Sequence, residues 1–597
     1  MTAATFSTGR EASTGEAARV TRAAGRRRVA AALRAAMVLA VLSRSGQAAA
    51  EVQLVGVDGA LAANVLAYLT LDQESCEAPA WRVQQQYVAA PARIESALQA
   101  LGYYAASVKS ELVTGKDCWR ATFTIDPGKP IRIRELDVKA EGDPIFAVAA
   151  AQSSLREGAV LDQGAYDALK RRWSDLAIER GYRDAKFLES RIDVYPDEHA
   201  ADIVLHFDAG ERYRFGAIRL DQSVLSDRLV RAYVPFKAGD LYDGRLLTTL
   251  YVALADSGYF QTIDIRQGEP DRETREVPIE IALTAAKRRL VTYGAGFSTD
   301  TGPRLRFGRT NRRFNDRGHQ FGINAQLSPV ISEVTASYRF PHGDPRTEWI
   351  NFDVGLKKED TDTSKSDSLE FGAQRVVERP HNWTRTQKLG LLIEDFDVAD
   401  QSGRSTLLMS GIDWARTRAD NALRPHRGYR LDFEVRGASD ALLSDTSFVQ
   451  AIAAGKWIWS LPGMGRVLVR GRVGATDVGS FADLPPSVRF FAGGDNSVRG
   501  YDFQTLGPTD DSGKVIGGSS LATASFEYEH PLHERWSLAF FVDSGNAFEG
   551  SHFTAKTGAG LGGRWQSPLG PIRIDLAHPF DDPTTSWRVH ISLGPDL

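Results

Sequence analysis

Cysteine is nearly absent, with two in 597 residues. So few exclude a disulfide-stapled scaffold and a four-cysteine zinc site. Long apolar runs are missing too. The longest strictly apolar stretch is Ala35–Leu42, far short of the roughly 20 residues a membrane helix needs, so a helical membrane bundle is excluded. A membrane β-barrel is not, because alternating strands keep mean hydropathy low, and it is negative here. Positive charge is not in excess either. Residues 1–50 hold eight arginines and two acids, a local +6 against a total of −4, which leaves −10 for the rest. That argues against a nucleic-acid partner. With 42% apolar and 25% charged residues, disorder and collagen-like structure are ruled out.

The basic start has a recognisable layout. Arg26-Arg27-Arg28 precedes the apolar stretch, and Ala48-Ala49-Ala50 precedes Glu51. A basic region, a short apolar core and a small-residue exit make a secretory signal over 1–50. The mature chain is expected to begin near Glu51, outside the cytoplasm.

The first half repeats itself. Segment 126–138 reads D-P-G-K-P-I-R-I-R-E-L-D-V and segment 208–220 reads D-A-G-E-R-Y-R-F-G-A-I-R-L, an offset of 82 residues. Each has an Asp-x-Gly turn and then a strand whose alternation skips one residue, as a bulge requires. A second signature, Gly-Tyr, recurs at Gly102-Tyr103, Gly181-Tyr182 and Gly258-Tyr259. Each follows an amphipathic helix, marked by Ile94 and Leu98, by Leu169, Trp173 and Leu176, and by Leu247, Leu250 and Leu254. Glycine stops the helix and alternating strands follow, so each unit reads β-α-α-β-β. This order resembles the POTRA domains of outer-membrane insertases and secretion pores, with copies over 52–128, 130–208 and 211–287. Such domains act by strand addition to a sheet edge. Cys76 and Cys118 both fall in the first copy; outside the cytoplasm a disulfide is favoured over zinc or thiol chemistry, whose partners are not in sight.

The second half is different. Glycine rises from 19 in residues 1–290 to 35 in 291–597. From Leu290 onward alternating segments of about ten residues follow one another, with no long helical stripe. Strands are expected to start near 290, 303, 318, 331, 347, 366, 384, 403, 428, 446, 465, 519, 536, 556, 570 and 586. Sixteen units of that length suit a tilted membrane strand plus a turn. The expected fold is therefore α+β repeats followed by a 16-stranded antiparallel transmembrane β-barrel over 288–597. Trp587, Val589, Ile591 and Leu593 share one face of the last strand, suiting a position between lipid and lumen. Trp349, Trp383, Trp414, Trp457 and Trp459 suit interfacial girdles. A soluble β-sandwich is the competing reading.

The sharpest motif is F-A-G-G-D-N-S-V-R-G-Y-D-F, residues 491–503, in the longest inter-strand segment. With Val498, Arg499, Gly500 and Tyr501, and with the later Phe541-Val542-Asp543-Ser544-Gly545, it resembles the long-loop and strand motifs of the POTRA-plus-barrel superfamily. The resemblance implies a loop, 492–518, folded into the lumen, with Arg499 paired to Asp543 beside Gly545. A guanidinium inside a barrel needs a matched carboxylate, ideally bidentate. Three repeats before a 16-stranded barrel resemble the TamA family in particular. The expected role is assembly of autotransporters and other outer-membrane proteins, with unfolded outer-membrane proteins, a TamB-like inner-membrane-anchored protein and outer-membrane lipid as partners. A two-partner secretion pore exporting one dedicated protein is the alternative. The barrel seam, where Gly294 and Gly296 weaken the first strand and Ile591 and Leu593 end the last, is the expected place of opening.

Apparent active sites dissolve in context. Gly558-Ala559-Gly560-Leu561-Gly562-Gly563 matches a dinucleotide pattern, but no helix follows. Pro531 breaks any helix between His530 and His533. No nucleophile elbow is visible. Binding and insertion, without catalytic residues, metal or cofactor, is the expectation.

Overall fold

The computed structural model describes residues 50–115, 118–421, 424–567 and 570–594. The expected signal segment lies outside them except for Ala50, as does the tail from Pro595 on. Two compact units divide between Tyr213 and Arg214.

The first unit holds two repeats. In the first, strand Glu51–Val55, helices Gly59–Tyr68 and Ala80–Ala100, and strands Ser107–Thr114 and Trp119–Asp126 follow in order. The last strand lies in the middle of the sheet, parallel to the first and antiparallel to the second. Val83, Ala90, Ile94, Ala97 and Leu98 form the buried stripe of the long helix and pack on Ala121, Phe123 and Ile125. Gly102, at φ +86°, then turns the chain out of the helix, a conformation that costs glycine little. A disulfide joins Cys76 to Cys118 across 4.7 Å between Cα atoms. Closing a loop of this size is worth about 2–4 kcal/mol.

The second repeat runs through strand Arg132–Glu141, helices Pro144–Gln152 and Gln163–Arg180, and strands Lys186–Tyr195 and Ala200–Asp208. Trp173 is fully buried at its centre and donates its indole N–H to the Phe146 carbonyl at 2.9 Å. Asp143 caps the first helix by accepting from the Ile145 N–H at 2.9 Å and from the Tyr182 hydroxyl at 2.7 Å. Those two donors hold its carboxyl below the usual carboxylate range. Burial, with Asp143 beside it, pushes Tyr182 up to about 12.

The second unit joins the third repeat to the barrel. Strand Arg214–Asp221, helices Asp227–Tyr233 and Gly244–Asp256, and strands Phe260–Gln267 and Glu276–Ala285 repeat the pattern. The skipped residue is a register shift between Phe215 and Ile218, matching the one between Ile133 and Glu135. Sixteen antiparallel strands, from Arg289–Ser298 to Arg588–Leu593, then close a barrel. Every strand starts within two residues of its expected position. The third repeat is bolted to the turn between the second and third barrel strands, Gly302–Asn311 and Gln320–Leu327. Ser226 N–H donates to the Asp316 carbonyl at 2.8 Å, Gln320 reaches the Ser257 carbonyl at 3.3 Å, and the Tyr259 hydroxyl donates to the Gly318 carbonyl.

Candidate functional site: inward loop and seam

The segment between strands Gly465–Val478 and Ser520–His533 is folded into the barrel. It runs from 479 to 519, thirteen residues longer at its start than the expected 492–518. The reason is packing. Leu484 and Val488 seat on Leu392 and Leu407 of the barrel wall, so the loop is committed to the interior before its glycines begin. Arg489 knits this part together, donating to the carbonyls of Leu484, Ile516 and Ala482 at 2.6, 2.9 and 3.1 Å.

Arg499 is anchored as its motif implies, and more firmly. Its Nε and Nη2 donate to the two oxygens of Asp543 at 2.7 and 3.0 Å, a bidentate pair. Its own backbone N–H adds a third bond to Asp543 at 3.1 Å. Nη1 reaches Glu527 at 2.7 Å and Asp575 at 3.0 Å, and the guanidinium lies 3.5 Å from the Phe541 ring centroid. Arg564 shares both carboxylates, bonding Glu527 at 2.7 Å and Asp575 at 2.5 Å. The paired charges are nearly sealed: Arg499 and Asp543 side chains are 5% and 0% exposed. Sealing two charges is tolerable only because almost every donor and acceptor is engaged. A cavity of about 30 Å³ remains between Arg470, Arg499, Glu527, Asp575 and His590, room for about a water.

The glycines that mimic a dinucleotide motif make this docking possible. A Cβ on Gly558 would stand 1.9 Å from the Arg499 carbonyl oxygen. Gly500 takes φ +102°, a Cβ there would stand 3.1 Å from the Pro579 nitrogen, and its N–H donates to His590 Nε2 at 2.9 Å. Val498 and Tyr501 pack with Phe490, Leu506 and Leu521 under the loop. Gly545 takes φ +153° where a Cβ would strike the Ala522 carbonyl. His530 meets the Tyr528 hydroxyl and the Met464 carbonyl.

At the seam the first and last strands share one registered pair, Ser298 with Ser592. Thr299 N–H donates to the Ile591 carbonyl at 3.1 Å, and Ile591 N–H to Thr299 Oγ1 at 3.1 Å. Because the last strand stops at Leu593, residues 289–297 have no strand partner on that side among the described residues. On its other side the first strand is fully paired, Gly294 with Arg306 and Gly296 with Arg304 of the second strand. Brevity of the last strand, six residues against 19 in the longest, is what frees the edge.

The loop closes what the strands leave open. Asp495 accepts from Ser298 Oγ at 2.8 Å and Thr299 Oγ1 at 2.7 Å, both from the first strand or its turn. It also pairs with His590 Nδ1 of the last strand at 2.7 Å. Its backbone N–H meets Asp300 at 2.9 Å. Since His590 Nε2 accepts from Gly500, its proton belongs on Nδ1, facing Asp495. One loop carboxylate thus clasps both sides of the seam. Asp495, His590, Glu527, Asp575 and Arg564 escaped the sequence reading. The strand residues among them showed only polarity on the lumen-facing alternation, and Asp495 only its place in the loop motif.

Repeats of the POTRA order followed by a closed 16-stranded barrel, with an arginine-anchored loop folded into it, define the class of the fold. The Omp85 superfamily domain matches residues 291–596, and the chain belongs to that superfamily. A TamA-type first POTRA domain matches 51–127, and a POTRA domain, a surface-antigen variable number repeat, matches 213–285. The outer membrane protein assembly factor BamA of Neisseria meningitidis is 24% identical over 477 residues, covering 68% of this chain and 59% of that one. BamA of Nitratidesulfovibrio vulgaris is 23% identical over 447 residues, covering 70% and 56%. The chain thus spans less than two thirds of these curated relatives. The crystal structure of Haemophilus ducreyi BamA lacking POTRA domains 1–3 superposes with a TM-score of 0.63 at 16% identity, over 78% of this chain and 99% of that one.

Proposed function

We propose that this protein inserts β-barrel proteins, autotransporters among them, into the outer membrane, offering the free edge of its first strand as a template. The observation that carries it is the seam: a closed barrel whose first strand, among the described residues, leaves 289–297 unpaired on one side. Unpaired N–H and C=O groups at a sheet edge recruit an incoming strand. Strand pairing and apolar burial supply the driving force, so the reading calls for no catalytic residue, metal or cofactor. The POTRA repeats stand in the periplasm, where their sheet edges receive unfolded substrate. Three repeats and a TamA-type first domain favour a TamB-like inner-membrane-anchored partner over a secretion-pore role. A two-partner pore would conduct a dedicated exoprotein through the lumen, which the sealed loop obstructs.

The test is a lock on the seam. Ser298→Cys with Ser592→Cys places thiols on the one registered pair, at a spacing a disulfide can bridge. Oxidation is expected to stop insertion of a substrate barrel and reduction to restore it. Normal insertion through a locked seam would rule out templating.

A further inference from the structure

Halfway round the barrel from the seam, the seventh to tenth strands form a wall with an unusual outer rim. They are Trp383–Val398, Gln401–Ala419, Arg427–Ala438 and Phe448–Leu461. Alternation assigns the faces. Leu392, Glu394 and Leu407 meet the inward loop, so their positions face the lumen. Cross-strand partners share a face. Arg385 pairs with Trp414, Arg416 with Trp383, Arg418 with Tyr429 and Arg427 with Trp459, and all stand on the outer face. They sit at the ends of these strands nearest the third repeat, just below an apolar band that includes Leu389 and Phe433, 51% and 42% exposed. Asp413, Asp432 and Glu434 occupy lumen-facing positions, and Asp395 and Asp397, outward on the seventh strand, lie at its far end, where Asp395 pairs with Arg404, so the repeat-side half of this outer wall carries no carboxylate on its strands. Asp420, in the adjoining turn, accepts from the backbone N–H groups of His426 and Arg427.

Four outward guanidiniums therefore lie at membrane-surface depth with no strand carboxylate on the repeat-side half of their face. The Nε atoms of Arg385 and Arg416 are shut from solvent and meet no hydrogen-bond partner. Arg416 lies between aromatic rings, 5.6 Å from the Trp383 centroid and 5.5 Å from that of Tyr429. Aromatic contact occupies the faces of a guanidinium and, with Nε covered, leaves the two terminal Nη donors for a bidentate acceptor. At the depth of lipid headgroups, the acceptor of that geometry is a phosphate.

We propose that this rim binds the phosphates of anionic phospholipids in the leaflet on the repeat side, through Arg385, Arg416, Arg418 and Arg427. The site anchors the wall opposite the seam to the bilayer. Motion of the barrel is thereby directed to the seam side, where the strands are short. This consequence rests on the templating reading; the binding does not.

The full chain, reconstituted in phosphatidylcholine bilayers, is probed with trace spin-labelled phosphatidylglycerol or phosphatidylcholine. The fraction of motionally restricted label gives the preference between them. Wild type is expected to prefer phosphatidylglycerol. Arg385→Gln, Arg416→Gln and Arg418→Gln together are expected to lower that preference about threefold or more, and the three lysine replacements to keep most of it. Heat-modifiable mobility checks that each variant is folded. Where the triple variant fails to fold, Arg418→Gln alone and a salt titration of wild type serve instead, since screening weakens surface ion pairing. A photoactivatable phosphatidylglycerol is expected to label peptides from 383–431. Equal preference in wild type and variants, labelling spread evenly round the barrel, or loss of preference on adding inorganic phosphate would each overturn the proposal. Blocked insertion with binding intact bears on the templating reading alone.

Discussion

At the scale of single residues, two carboxylates show how burial sets the stakes. Asp543 is fully buried and holds Arg499 by a bidentate pair and a backbone bond. Removing one partner of such a pair leaves a sealed charge uncompensated, typically about 3–5 kcal/mol. Arg499→Ala is therefore expected to lower the barrel's melting temperature and mobilise the loop, read by protease cleavage within 479–519. Arg499→Lys should recover only part, since an ammonium cannot satisfy Asp543, Glu527 and Asp575 in a plane. Unchanged melting in Arg499→Ala would contradict the pairing. Asp143 is a milder case, a half-buried cap. Asp143→Ala is expected to cost about 1–2 kcal/mol in a fragment of the first unit. The sign with pH follows from its lowered folded-state value. The stabilisation is present above the unfolded carboxylate range near pH 4 and fades as pH falls through the folded value. Urea midpoints of wild type and variant should converge there; a constant gap down to strong acid would rule out the charged cap.

Among the elements, the seam and the loop act as one device. Strand pairing gives the seam one registered pair, whereas Asp495 adds charge-assisted bonds to Ser298 and Thr299, 197 and 196 residues away, and to His590, 95 away. Each such bond is worth about 1.5–3 kcal/mol when made to an ionised group. Asp495→Ala and His590→Ala are each expected to speed amide exchange in 298–304 and 588–593 by about tenfold or more. Because both substitutions remove the same contact, the double variant should exchange little faster than either alone. Additive effects would mean that the two residues do not work through each other.

For the whole molecule, the division between Tyr213 and Arg214 carries a proteolytic consequence. The third repeat is hydrogen-bonded to the turn between the second and third barrel strands through Ser226, Tyr259 and Gln320. Limited trypsin treatment of the folded protein should leave a resistant fragment beginning near residue 213, after Arg212, and therefore retaining the third repeat. A fragment beginning near 288, read by N-terminal sequencing, would show that the repeat is not bolted to the barrel.

Local rules made much of this molecule legible in advance. Helix stops at Gly102 and Gly181, the two-residue alternation of sixteen strands and the skipped residue at each bulge are written within a few positions of one another. Short-range sterics and the choice between burial and solvent decide them. The Arg499–Asp543 pair was reachable only through resemblance, since 44 residues and two strand crossings lie between them. What closes the seam lay beyond reach. Whether Asp495 meets His590 depends on where a 41-residue loop comes to rest inside the barrel, and on how far the last strand falls short of the first. Those are matters of barrel closure and long-range packing, and no local pattern encodes them. Sequence alone determined the elements and their order; tertiary structure decided which polar side chains those elements bring face to face.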